Sequence, residues 1–109
     1  MCMALDLVDC AEKREQYRRL HQKIWPEVRD YLRRHGVVDM EIYQLGNRLF
    51  MVMEVSDAFD QDAFAKEAQT HPTLQRWEAQ MWQYQQPTPW TPVGEKWVAM
   101  ERIFSLQQQ

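Results

Sequence analysis

The chain has 109 residues and a mass of 13.2 kDa, which fits one domain over residues 1–109 and excludes a two-domain enzyme. Apolar residues at 45% and charged residues at 27% are ordinary globular values, far from the composition of a disordered chain. Lysine and arginine number 13 against 16 acids, for a formal charge of -3. No basic field draws phosphates, which argues against nucleic acid as the main partner.

Met1, Met3, Leu5 and Leu7 alternate with their neighbours, which predicts a first strand over residues 1–8. This stretch lacks a basic leader segment and is too short to span a bilayer, so the cytoplasm is the expected compartment and no membrane partner is expected. Cys2 and Cys10 would sit roughly 25 Å apart if the strand between them is extended, too far for a disulfide. Asp9 with Glu12 resembles a capping box, which predicts a helix starting there. Tyr17, Leu20, His21, Ile24, Val28, Leu32 and His35 recur at three- and four-residue spacing and define its buried face. Pro26 has no amide proton, so the helix kinks there or restarts with Pro26 in its first turn. Gly36 supplies a left-handed stop.

Val38, Met40, Ile42 and Gln44 alternate with Asp39, Glu41, Tyr43 and Leu45, a second strand ending at the Gly46-Asn47 turn of a hairpin. Residues 48–55 form a third strand with two largely apolar sides, which places it centrally in the sheet. Phe59, Ala63, Phe64 and Ala68 mark a helix that His71-Pro72 interrupts before Leu74, Trp77, Glu78 and Met81 resume helical spacing. Residues 83–94 carry three prolines and no periodicity, which predicts a long loop. Residues 97–106 read as a fourth strand, followed by a fraying tail at 107–109.

This order predicts an α+β, ferredoxin-like domain of the dimeric α/β barrel type, an antiparallel sheet with helices on one face. Tyr43, Phe50, Val52 and Ile103 are candidates for the opposite face. A second copy packed sheet to sheet would cover them, so a homodimer is expected.

The constellation with most chemical content is Tyr17, His21 and Trp25, each four residues after the last and therefore on one helix face. Histidine exchanges protons near neutrality and is the natural acid/base for a polar ligand in that groove. On spacing alone, a core histidine bonded to a backbone carbonyl is the commoner case. His35, at a helix end, and His71, before a proline, read as structural residues. No local metal-ligand spacing appears. Glu54 and Glu78 sit on apolar surroundings, where a structural ion pair is the ordinary explanation. Trp77 and Trp82 are ordinarily core residues.

The run Tyr17-Arg18-Arg19-Leu20-His21-Gln22-Lys23-Ile24-Trp25-Pro26-Glu27 resembles the Y-x-x-x-H-x-x-I-W-P-E segment of the L-rhamnose mutarotases. His35-Gly36 and Ile42-Tyr43 follow at matching spacing, and weaker matches lie at Arg76-Trp77 and Glu101-Arg102-Ile103-Phe104. The resemblance implies a small cytoplasmic homodimer that interconverts monosaccharide anomers without a cofactor or metal. It assigns the catalytic acid/base to His21 and sugar contacts to Tyr17 and Trp77; Tyr17 is then the hydrogen-bonding or proton-relay partner of His21, and Trp25, from the same helix-face groove, is a further candidate sugar contact. Met40 replaces a sugar-binding tyrosine, and Glu78 replaces a second tryptophan. These departures suggest a different 6-deoxy-L-hexose, L-fucose rather than L-rhamnose. The alternatives are a non-catalytic dimeric module for a small metabolite, and a small monooxygenase or dehydratase of the same fold.

Overall fold

A computed structural model describes all 109 residues. The elements run β1 (Cys2–Leu7), α1 (Ala11–Gln22), α2 (Pro26–Arg34), β2 (Val37–Leu45), β3 (Arg48–Val55), α3 (Gln61–Thr70), α4 (Pro72–Met81), β4 (Gln85–Gln86) and β5 (Val98–Ala99), with a final 3-10 turn over Leu106–Gln108. The sheet order is β2-β3-β1-β4, and β5 pairs with β1 beyond β4. All pairings are antiparallel. This is the ferredoxin-like arrangement expected from the element order, with β3 inside the sheet. Leu5, Leu7 and Leu49 are essentially inaccessible to solvent, and each contributes about 1.5–3 kcal/mol of burial. Leu7 and Leu49 meet Tyr17, Val28, Tyr31, Leu74, Trp77 and Met81 from the helices in one core.

Several local expectations are corrected. Asp9 does not cap the first helix: Cys10 is the N-cap and makes no side-chain bond, while Asp9 pairs with Arg14 at 3.0 Å. A tight turn in which Cys10 donates to the Val8 carbonyl moves the helix start one residue on. Glu12 consequently falls one position short of the place a capping box requires. Val38 is exposed and Val37 is buried, because a bulge between Val37 and Asp39 reverses which side chain faces the core. The 83–94 segment is not structureless, since Gln85 and Gln86 pair with Leu7 and Asp6. The last strand is only two residues long. Met100 donates to the carbonyl of Cys2, and beyond that point β1 has no backbone left to pair with. The tail folds into the 3-10 turn.

The helix break falls as the restart reading requires, with α1 ending at Gln22 and Pro26 opening α2. Gly36 ends α2 at φ +94° and also brings its carbonyl to 2.8 Å from the amide nitrogen of Ser56. His35 faces Glu67 on α3 at 3.1 Å, and His71 caps α4 by accepting from Thr73 N. Both act as connectors between elements. No helix is long and apolar enough to cross a membrane.

Candidate active site

Tyr17 and His21 lie one turn apart on α1, on the face turned toward the sheet. Their rings stack obliquely with centroids 4.1 Å apart. The break after Gln22 then turns the chain so that Trp25 caps α2, its carbonyl accepting from the amides of Val28 and Arg29. Trp77 on α4 meets His21 edge-on at 5.8 Å and Trp25 at 5.0 Å. Sequence elements far apart thus form one aromatic row running Tyr17, His21, Trp77, Trp25.

A cleft of about 670 Å³ opens between α1 and the β2–β3 hairpin. Tyr17 and His21 line it, together with Arg14, Arg18 and Gln22 from α1 and Ile42, Tyr43 and Gln44 from β2. An aromatic wall facing guanidinium and amide groups suits a ligand with C–H faces and hydroxyls, as a monosaccharide has.

The protonation pattern is set by hydrogen bonds. His21 Nδ1 lies 2.8 Å from the Tyr17 carbonyl oxygen, which can only accept, so Nδ1 carries the proton. Nε2 makes no hydrogen bond within the chain and keeps its lone pair when the ring is neutral. Burial lowers the His21 pKa from its ordinary value, partly opposed by that backbone bond. The imidazole is therefore neutral at pH 7 and able to take a proton. Burial pushes the Tyr17 phenol up to about 12, opposed by a bond from Gln85, so it stays protonated at neutral pH.

The remaining sequence candidates lie around this cleft rather than on its walls. Trp77 is buried and buttresses His21. Trp25 lies beside a shallower groove shared with Leu20, Lys23 and Tyr84. Met40 packs with Val37, Met51 and Met53, on the same strand face as the cleft residue Ile42 but two residues away from it. Glu78 is exposed and paired with Lys96, whose ammonium also lies 5.0 Å from the Trp82 ring centroid. Glu54 is exposed on the open sheet face, opposite Asp39. The sequence reading missed Gln85, which is buried and donates to Tyr17 Oη at 3.2 Å. It also missed Arg14, Arg18, Gln22 and Gln44. Polar residues in a helix or strand carry no sign of which cleft they face, and only the fold supplies it. No group of three or more His, Cys, Asp or Glu residues gathers closely enough to hold a metal ion.

The family model for L-rhamnose mutarotase matches residues 1–106. An L-fucose mutarotase of Xanthomonas campestris pv. campestris is 40% identical over 110 aligned positions, covering 99% of this chain and 88% of that protein. An L-rhamnose mutarotase of Verminephrobacter eiseniae is 40% identical over 68 residues, covering 61% of this chain and 60% of its own. The crystal structure of an L-rhamnose mutarotase from Formosa agariphila superposes with a TM-score of 0.69 at 22% identity, covering 96% of this chain and 95% of that one. That likeness bears on the fold, which is shared over nearly the whole chain. With the sequence matched from its first residue to residue 106, this chain belongs to the L-rhamnose mutarotase family.

Proposed function

We propose that this protein is a mutarotase that interconverts the α and β anomers of a 6-deoxy-L-hexose, with L-fucose preferred over L-rhamnose. The observation that carries the reading is His21, whose Nδ1 is anchored to a carbonyl while Nε2 is left as a neutral base in a polar cleft. Mutarotation needs one group to take the anomeric hydroxyl proton and another to protonate the ring oxygen. The ring opens to the aldehyde, C1 rotates about its bond to C2, and the ring closes on the other carbonyl face. His21 Nε2 serves as the base and Tyr17 Oη as the proton donor. Positioned proton transfer of this kind accelerates a reaction by roughly a hundred- to ten-thousandfold. Trp77 holds the imidazole in place, and Trp25 supports Trp77 at the edge of the sugar site.

The sugar preference rests on two positions and one relative. Met40 and Glu78 depart from the residues of the rhamnose enzymes, and the L-fucose mutarotase relative aligns over 99% of this chain. Glu78, next to Trp77 in the chain, pairs with Lys96, whose ammonium stands over the Trp82 ring. Sugars that differ in one hydroxyl orientation should then differ by about 1–3 kcal/mol at this site, roughly ten- to hundredfold in kcat/KM. The test is to compare both sugars on the wild type and on the Met40→Tyr/Glu78→Trp double variant. The wild type should favour L-fucose and the double variant should lose that preference. Equal wild-type efficiencies, or a rhamnose preference untouched by the changes, would remove these positions from sugar selection.

The same reading makes the protein a cytoplasmic homodimer, joined through the open face of its sheet. Tyr43 and Val52 are exposed there, Phe50 is half-buried, and the extended segment after β5 exposes Ile103 and Phe104. Such an apolar surface suits burial against a second copy.

A further inference from the structure

The proline-rich stretch after α4 delivers one polar side chain into the core. Gln85 is only 4% exposed and stands on β4 opposite Leu7, which puts its side chain on the helix side of the sheet. Its Nε2 donates to Tyr17 Oη at 3.2 Å, across 68 positions of sequence. Its Oε1 is buried and has no hydrogen-bond partner. A buried amide oxygen left without a partner loses its water and gains nothing in return, which destabilises the fold. That cost is unexplained by packing, since an apolar side chain of the same size would fill the space without it.

We propose that Gln85 is a positioning residue for anomer exchange: its amide occupies the acceptor side of Tyr17 Oη and so commits the phenol proton to the cleft, where the sugar ring oxygen receives it. A hydroxyl that accepts from a fixed N–H directs its own hydrogen elsewhere, and the Tyr17 ring lines the cleft beside His21. On ring opening, the anomeric O–H proton passes to His21 Nε2 and its electron pair forms the C1 carbonyl. The bond from C1 to the ring oxygen breaks, and that oxygen takes the Tyr17 proton. Ring closure on the opposite face returns both protons. The phenolate formed in between keeps the Gln85 N–H bond, which favours its charged form; the same bond lowers the Tyr17 pKa against the larger effect of burial.

The inference rests on the mutarotase reading, and the experiment separates the two. Saturation-transfer rates are measured for wild type, Gln85→Glu and Gln85→Met, each with Tyr17 intact and with Tyr17→Phe. A carboxylate only accepts, so Gln85→Glu turns the phenol proton away from the sugar; kcat should fall about tenfold or more with KM within about twofold. Gln85→Met keeps the volume without directing the proton and should lose less. Both effects should vanish in the Tyr17→Phe background. Equal losses in the two variants that persist with Tyr17→Phe would make Gln85 a packing residue and overturn the inference. If Gln85→Glu does not fold, the Gln85→Met pair alone decides by the same non-additivity. Side-chain amide resonances give a reading independent of turnover: one glutamine NH₂ should be protected from exchange and should shift in Tyr17→Phe, and its absence would contradict the hydrogen bond itself. A wild type without anomer exchange would overturn the functional reading while leaving this bond to be judged by the resonances.

Discussion

At the residue scale, the decisive feature is the division of labour within one imidazole. A carbonyl one turn back holds Nδ1, so the bond that marks an ordinary core histidine also leaves Nε2 as a base. The spacing of Tyr17, His21 and Trp25 was legible in the sequence because a helix face repeats every three to four residues. Which ring nitrogen was committed was not, since it depends on local geometry. Burial lowers the His21 pKa below its ordinary 6.5, which has a sign for stability. In the window between the lowered folded value and 6.5, the unfolded chain binds the extra proton, so stability is present above 6.5 and is lost as pH falls through the folded value. The wild type should therefore lose thermal stability relative to His21→Asn as pH drops below 6.5. Melting temperatures that track each other across that range would contradict a buried neutral imidazole. Turnover should likewise persist at pH 6.5 and fall only at more acidic pH.

At the scale of elements, the connections place the site. Gly36 joins α2 to β2 at φ +94°, and a Cβ there would come within 2.5 Å of Ser56 Oγ. Gly36→Ala should cost about 1–3 kcal/mol in chemical denaturation without changing the denaturant dependence; a midpoint equal to wild type would show that the turn tolerates a side chain. Tyr31 donates to the Phe64 carbonyl at 2.6 Å and ties α2 to α3. Tyr31→Phe should cost about 1 kcal/mol, and unchanged stability would mean the bond adds nothing. The helices, the hairpin and the Gly36 stop were legible because their periodicity and turn residues are strong local signals. The bulge before Asp39 and the two-residue β4 were not. Gln85 and Gln86 are polar and precede a proline, so nothing local marks them as strand, and their pairing is decided by the free edge of β1. The last strand was overestimated because alternation over residues 97–106 says nothing about the length of its partner, which ends at Cys2.

At the scale of the whole molecule, helices cover one sheet face and leave the other to solvent in the single chain. Tyr43 is 53% exposed and Val52 38%. Among the far-face polar groups, Asp6 is buried and held in a two-pronged pair with Arg48 at 2.9 and 3.2 Å, while Arg48 lies 5.0 Å from the Trp90 ring centroid. That pair ties the proline-rich segment to the sheet next to the apolar patch. Sedimentation at micromolar concentration should give about twice the chain mass, and Val52→Glu should shift the protein toward monomer because it buries a charge in the proposed interface. A wild-type monomer with a normal cooperative unfolding transition would exclude the sheet-to-sheet dimer.

The central claim is that His21 exchanges protons with a bound sugar, and saturation transfer between the two anomeric protons of L-fucose tests it most directly. Wild-type protein should transfer saturation well above the rate in buffer, and His21→Asn, folded by circular dichroism, should lower the catalysed rate by roughly a hundred- to ten-thousandfold. Exchange by His21→Asn at the wild-type rate would leave His21 as a core histidine and contradict the account.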